Sequence, residues 1–295
     1  MSTAEMLQRR RPGLRARPAD SADTSGAECR QIQDAVVVVA HPDDEILWFS
    51  SILRQCKSAL VCFGASATST ESWDDGRAVM MDRYPLSKVR FLRLRQSDAF
   101  EAANWNKPRE ADYGLQLSRR ESSSYETNAA ELRRNLAAEL SRETLVFTHN
   151  PWGEYGNEEH VQVYRVLAEL RQEHGFDLYV DSYVSDRSAK LMAKSVHSLD
   201  GHPLVRQTNR TLAHTLRDQY LENNCWTWMT DYEWPAYESF YHVGIQVDGA
   251  ESGTPINFPL NYLTYRFNRG PMRRIASRTL PESVKSRIKR AGNVP

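Results

Sequence analysis

Hydrophobic and polar positions along the chain change period several times, and each change marks an element. Residues 36–39 are four consecutive valines. Such a run cannot alternate between a buried and a solvated face, so it predicts a strand covered on both sides, as in a parallel sheet packed between helices. The charges begin where that strand stops, in AHPDDE (residues 40–45). Beyond them EILWFSSILRQC sets Ile46, Leu47, Phe49, Ile52, Leu53 and Cys56 at helical spacing, and ALVCFGAS follows as a short strand. This is one βαβ unit. GRAVMMDRYP predicts a second helix, KVRFLRL a strand, SYETNAAELRRNLAAEL an amphipathic helix and TLVFTH another buried strand. A loop rich in Asn, Pro and Gly runs through residue 114. Strands alternating with helices predict an α/β fold with a doubly wound, mostly parallel sheet.

The second strand end, THNPWGEYGNEEHVQVYRVLAEL, repeats the arrangement of the first: an apolar strand, a Gly and Pro loop, then polar residues opening a helix. Asn157 is the expected N-cap. Glu158, Glu159 and His160 fill the first turn, and Val161, Tyr164, Val166, Leu167 and Leu170 supply the apolar positions. In open α/β sheets ligands bind beyond the carboxyl ends of strands, so these two polar clusters have the location of a site.

Composition narrows the partners. Of 295 residues, 40% are hydrophobic and 26% charged, enough for one large core, and 38 basic residues balance 38 acidic ones, so no global field favours nucleic acid. The four cysteines (29, 56, 62 and 225) form no CxxC pair, which excludes a cysteine-built zinc site and favours buried reduced thiols in a cytoplasmic protein. Residues 1–30 have no apolar signal segment and read as a disordered leader. Residues 31–265 read as one catalytic-sized domain with an irregular, aromatic-rich C-terminal extension. The tail, 266–295, holds nine Lys or Arg and one acid; a solvated tail is its first meaning and peripheral membrane contact its second.

The two polar clusters can carry metal chemistry. His41 and Asp44 stand three residues apart at a helix start and project over one turn, while Asp43 points elsewhere. A third donor from the other strand end, most simply His160, completes three N/O ligands with an open position, the pattern of catalytic zinc. An unligated carboxylate beside such a site can serve as general base, so metal-assisted hydrolysis is the implied reaction. Each part also has a plain meaning: HPDDE as acidic residues stabilising a helix start, His160 as a helix-surface histidine.

AHPDDE after a hydrophobic strand, with a YGxxxH segment at a later helix start, resembles the LmbE/PIG-L family of zinc-dependent de-N-acetylases over roughly residues 34–185. The resemblance implies a Rossmann-like fold and hydrolysis of the N-acetyl amide of an amino sugar, with Zn2+ or another divalent ion on His41, Asp44 and His160 and with Asp43 as base. It also gives Arg77 and Asp98 as substrate-binding residues. One position departs from the family: NEEH stands where a histidine usually precedes the last one, so Asn157 replaces a group that stabilises the oxyanion or protonates the leaving amine. His149 or Asp43 can take over the proton, and Tyr155 can donate to the oxyanion. The aromatic stretch LENNCWTWMTDYEWPAYESFY is read either as core or as a sugar-stacking surface. The expected activity is removal of an acetyl or short acyl group from an amino-sugar substrate, a small molecule or a glycan precursor, glycolipid or glycosylated natural product. An amidase of another N-acylated small molecule and a zinc-containing sugar binder are the alternatives.

Overall fold

The computed structural model describes residues 32–65, 71–118, 122–142, 144–200, 202–244 and 260–264. The leader at 1–30 and the basic tail at 266–295 fall outside them. The valine run forms β1 (Ala35–Val39), buried along its whole length. Its side chains divide between two cores: Val37 and Val39 pack with Trp48, Phe49 and Phe240, while Val36 and Val38 pack with Leu167, Leu170 and Tyr241. Both faces being covered is what the unbroken β-branched run predicted.

The remaining strands are β2 (Ser58–Phe63), β3 (Val89–Leu94), a small hairpin of β4 (Glu110–Ala111) and β5 (Gly114–Leu115), β6 (Leu145–Thr148), β7 (Asp177–Asp181), β8 (Tyr183–Ser185), β9 (Leu204–Gln207), β10 (Tyr237–His242) and β11 (Asn261–Leu263). The central sheet has the order β3-β2-β1-β6-β7-β10-β9. Its first five strands are mutually parallel, and β10 runs antiparallel to both β7 and β9. The order reverses between β1 and β6, so the loops after these two strands border a topological switch point. Both polar clusters follow those strands.

Two features differ from the sequence pattern. The segment expected as one helix after β1 is two single turns, Asp44–Leu47 and Ser50–Leu53, broken at Trp48–Phe49. The break has a partner far away in sequence: the buried Glu238 carboxylate accepts from Ser50 Oγ at 2.7 Å, Ser51 N at 3.0 Å and Ser51 Oγ at 2.6 Å, so the second turn starts on that acceptor. The C-terminal extension is also partly regular. It supplies β9, β10 and the Arg210–Glu222 helix, so the sheet ends in residues that alternate half-buried and exposed along β9. Cys56, Cys62 and Cys225 are buried free thiols. Among the described residues no helix is long and apolar enough to cross a membrane.

Candidate active site

The loop after β1 turns sharply at Asp43, which has φ 98°, a left-handed conformation that costs an L-residue energy. Two bonds hold it there: Asp43 N donates to Glu45 Oε2 at 2.9 Å, and His41 N donates to Asp44 Oδ2 at 2.7 Å. Glu45 is itself fixed by the hydroxyls of Tyr84 and Tyr220, each at 2.7 Å. Burial pushes its carboxyl up to about 7. The strained turn separates the two aspartates. Asp44 faces the histidines, and Asp43 faces the C-terminal extension.

The loop after β6 delivers the other half. Asn150 Oδ1 accepts from Trp152 N and Glu154 N, and Asn150 Nδ2 donates to Asp181 Oδ1 and Tyr183 O at 2.8 Å each. Gly153 (φ 64°) leaves no room for a side chain, since a Cβ there would lie 2.5 Å from Asn157 O. The loop ends at Asn157, whose Oδ1 accepts from Glu159 N at 2.9 Å and His160 N at 3.4 Å, capping the Glu158–His174 helix as its sequence predicted. His160 therefore sits in a fixed first turn pointing back across the sheet.

The two loops bring three donor atoms together. His41 Nδ1 lies 3.3 Å from Asp44 Oδ2 and 3.2 Å from His160 Nε2, and His160 Nε2 lies 3.2 Å from Asp44 Oδ2. Ligands of a tetrahedral zinc at about 2.0–2.1 Å stand about 3.3–3.4 Å from one another, so this near-equilateral triangle fits such an ion. The rest of each ring is committed. His41 Nε2 meets Glu159 Oε2 at 2.7 Å, and Glu159 also accepts from Ser97 N and Oγ. His160 Nδ1 is bonded to Glu154 Oε2. Carboxylates behind ligating histidines set which nitrogen faces a metal, and here they leave His41 Nδ1 and His160 Nε2 facing inward. A second buried group, His149, Glu154 and His160, shares His160 with the first. Because Glu154 bridges the two rings, this group reads as the support of the triangle.

Negative charge dominates the cluster. Burial opposes ionisation of Asp44, but His160, His149 and His41 outweigh it and hold the carboxyl well below its ordinary range. Burial likewise opposes ionisation of Glu154, and His149 and His160 hold it low. Burial disfavours a charged His41, yet Asp44 and Glu159 raise it to about 9. A site that pulls a proton onto histidine this strongly is one that a divalent cation would satisfy.

The remaining residues singled out from sequence lie around this centre. Asp43 is 2% exposed; burial first, then Asp44, push it up to about 8, with Thr227 and Arg77 opposing. His149 stacks on His160 at 3.9 Å and has both ring nitrogens occupied, Nε2 accepting from Ala40 N at 2.8 Å and Nδ1 facing Glu154 Oε1 at 3.1 Å. Tyr155 is half-buried, edge-on to His160 at 5.4 Å, and receives a bond from Asn157 Nδ2 at 2.9 Å. Arg77 is buried, donates from Nη1 to Gly64 O at 3.0 Å and stacks on Trp73; its Nε is buried without a partner among the described residues. Asp98 (φ 55°) follows Ser97, which ties its backbone to the site through Glu159.

The aromatic stretch is mainly wall. Trp226, Trp228, Tyr232 and Trp234 are each at most 9% exposed, and Trp228 and Tyr232 pack edge-on to Trp48, whose Nε1 donates to Asp44 Oδ1 at 2.9 Å. Sequence patterns missed Glu154, Glu159 and Thr227. Only Glu159 carried a signal, being adjacent to His160 on a first helical turn.

No curated protein matches the chain by sequence. Three solved structures are similar to it at low identity. A deacetylase of the teicoplanin biosynthesis pathway, in complex with teicoplanin, is 14% identical (TM-score 0.41), covering 71% of this chain and 98% of its own. A zinc-inhibited form of the teicoplanin deacetylase Orf2 is 15% identical (TM-score 0.43), with 73% and 100% covered. The A40926 pseudoaglycone deacetylase Dbv21 is 12% identical (TM-score 0.41), with 72% and 97% covered. A family model described as PIG-L, GlcNAc-PI de-N-acetylase, matches residues 36–170, the stretch that begins in β1 and contains His41, Asp43, Asp44 and His160. Over that stretch the chain is similar to the PIG-L family.

Proposed function

We propose that the protein is a metal-dependent hydrolase that removes an N-acetyl or short N-acyl group from an amino-sugar substrate. The observation that carries this reading is the triangle of His41 Nδ1, Asp44 Oδ2 and His160 Nε2 at 3.2–3.3 Å, with the non-ligand carboxylate of Asp43 on the neighbouring residue. The match of residues 36–170 to a de-N-acetylase family model supports the class of reaction.

His41, Asp44 and His160 would hold the ion, and the all N/O donor set suits zinc. When bound, the metal supplies Lewis acidity, which polarises an amide carbonyl and lowers the pKa of water in the site. The chain's own groups do the rest. Asp43 accepts the proton of the attacking water and returns it to the departing amine, acting in turn as base and acid. Tyr155, held by Asn157 Nδ2, donates its hydroxyl to the developing oxyanion. His149 supports His160 by stacking and through their shared Glu154; the Ala40 N–H on its Nε2 argues against a proton-delivery role. Arg77 offers a buried N–H, and Asp98 a carboxylate, to sugar hydroxyls.

Asn157 separates two readings. A hydrolase needs an acid at the leaving nitrogen, and asparagine supplies none at neutral pH, which also suits a metal-containing sugar binder without turnover. Acetate release decides. The divalent-loaded full chain, incubated with N-acetylglucosamine, its glycosides and its phosphoinositol conjugate, should liberate acetate, and chelation should stop it. A protein that binds members of this panel and hydrolyses none of them would be a binder.

Asn157→Ala should cost about 1 kcal/mol through lost capping, seen as a lower melting temperature, and should reduce turnover modestly by releasing Tyr155. Asn157→His should keep or raise turnover. Loss of metal from Asn157→Ala would contradict its separation from the ligand set. The basic tail is proposed to favour anionic surfaces, and vesicle co-sedimentation that is insensitive both to salt and to deletion of 271–295 would remove that role.

A further inference from the structure

The turn that carries Asp43 is gripped by a part of the chain that the family match does not reach. Three of its residues in a four-residue span accept hydrogen bonds from the stretch 220–234. Asp43 Oδ2 accepts from Thr227 Oγ1 at 2.6 Å and from Thr227 N at 3.2 Å. Glu45 Oε1 accepts from Tyr220 OH at 2.7 Å, and Ile46 O accepts from Trp234 Nε1 at 2.7 Å. Between these anchors Trp228 packs on Trp48 and Tyr155, at 5.4 and 4.7 Å between ring centroids. The matched stretch ends at residue 170, so all three donors lie beyond it.

Such an arrangement has a mechanical meaning. Asp43 is in a conformation that its own backbone disfavours, and nothing within the turn fixes the rotation of its carboxylate. The two Thr227 bonds converge on one oxygen, which sets the plane of the carboxylate and leaves Oδ1 as the oxygen available to accept a proton. One bond comes from a backbone amide and the other from a side chain of the same residue, so the carboxylate and the segment fix each other.

We propose that Thr227 is a positioning residue for the Asp43 carboxylate, and that Tyr220, Thr227 and Trp234 form a clamp holding the 43–46 turn in its active shape. The consequence for turnover rests on the hydrolase reading above; the clamp itself does not. It also implies that the C-terminal extension is part of the catalytic unit.

The test has an arm that needs no activity. In the full-length protein, hydrogen exchange over residues 225–234 should accelerate roughly tenfold or more in Asp43→Ala, which removes the acceptor. Asp43→Asn, which keeps an acceptor oxygen, should retain the protection. Exchange in the Glu158–His174 helix should not change in either variant. In the second arm, Thr227→Val should lower kcat for acetate release from methyl N-acetylglucosaminide by about tenfold, the scale for partners that orient active groups, with KM and metal content unaltered. Thr227→Ser, which restores the hydroxyl donor, should recover most of the loss. Unchanged exchange in Asp43→Ala, or a wild-type kcat in Thr227→Val, overturns the proposal. If the natural protein releases no acetate, the hydrolase reading falls, and the exchange result alone decides the clamp.

Discussion

Alanine at His41, Asp44 or His160 should strip the protein of its divalent ion, and by more than substitutions one layer further out. The three side chains converge from two loops on atoms 3.2–3.3 Å apart, so each contributes a third of the donor set. Of the ligand rings, Glu154 and Glu159 touch the far nitrogens of His160 and His41 and leave the inward-facing ones free for the ion. Glu154→Gln and Glu159→Gln should therefore weaken binding by about 10–100-fold, the usual scale for groups that orient ligands, while the alanine variants fall well below that. His160→Ala is the cleanest case: its loop is held by Asn150 and capped by Asn157, so the helix survives the substitution. Competition with a chelator of known affinity measures the series, and metal content after dialysis checks stoichiometry at one ion per chain. Three alanine variants that each retain a full ion at natural affinity would refute the triangle. A graded order of Gln variants above Ala variants would establish both layers at once. Asp44 needs one control, because His41 N and Trp48 Nε1 also bond its carboxylate. Asp44→Asn keeps those contacts and isolates the charge.

What the sequence made legible was what its local pattern governs. Four valines with no polar residue among them can only be a strand buried on both sides, and β1 is one. Asn157 ahead of two glutamates is a helix cap, and its side chain accepts from two amides of that helix. Convergence of His41, Asp44 and His160 followed from two similar strand ends and from the rule that such ends border a site. The long-range partners left no local trace. Glu238 breaks the helix after β1 from 187 and 188 residues away, and Thr227 reaches Asp43 across 184. The aromatic stretch was ambiguous for a related reason: sugar stacking and core packing ask for the same side chains, and the choice depends on whether Trp48 is there to meet them. His149 was legible as a strand-end histidine, but the Ala40 amide that occupies its Nε2 comes from the adjacent strand's end.

Asp43→Asn should lower turnover by about 10²-fold or more while leaving the metal in place, the scale for removal of a general base. The substitution suits the question because it changes so little else. Asparagine has the shape of aspartate and tolerates the left-handed backbone that this position requires. Its Oδ1 can take both Thr227 bonds now made to Asp43 Oδ2, which directs the amide nitrogen to where the second carboxylate oxygen stood. What disappears is the capacity to accept a proton. The pH profile carries the same information with a definite sign. Burial and the neighbouring Asp44 push Asp43 up to about 8, and a divalent ion beside it works against both. A base acts in its ionised form, so kcat/KM for the natural enzyme should rise with pH along an acidic limb whose midpoint lies below about 8. That limb should vanish in the asparagine variant. Metal content measured on the same sample separates the roles: a variant that loses its ion as well as its activity would make Asp43 a ligand. Turnover that survives unchanged, with the acidic limb intact, would assign the base to another group. Glu159 is the first alternative to examine, since it already contacts His41.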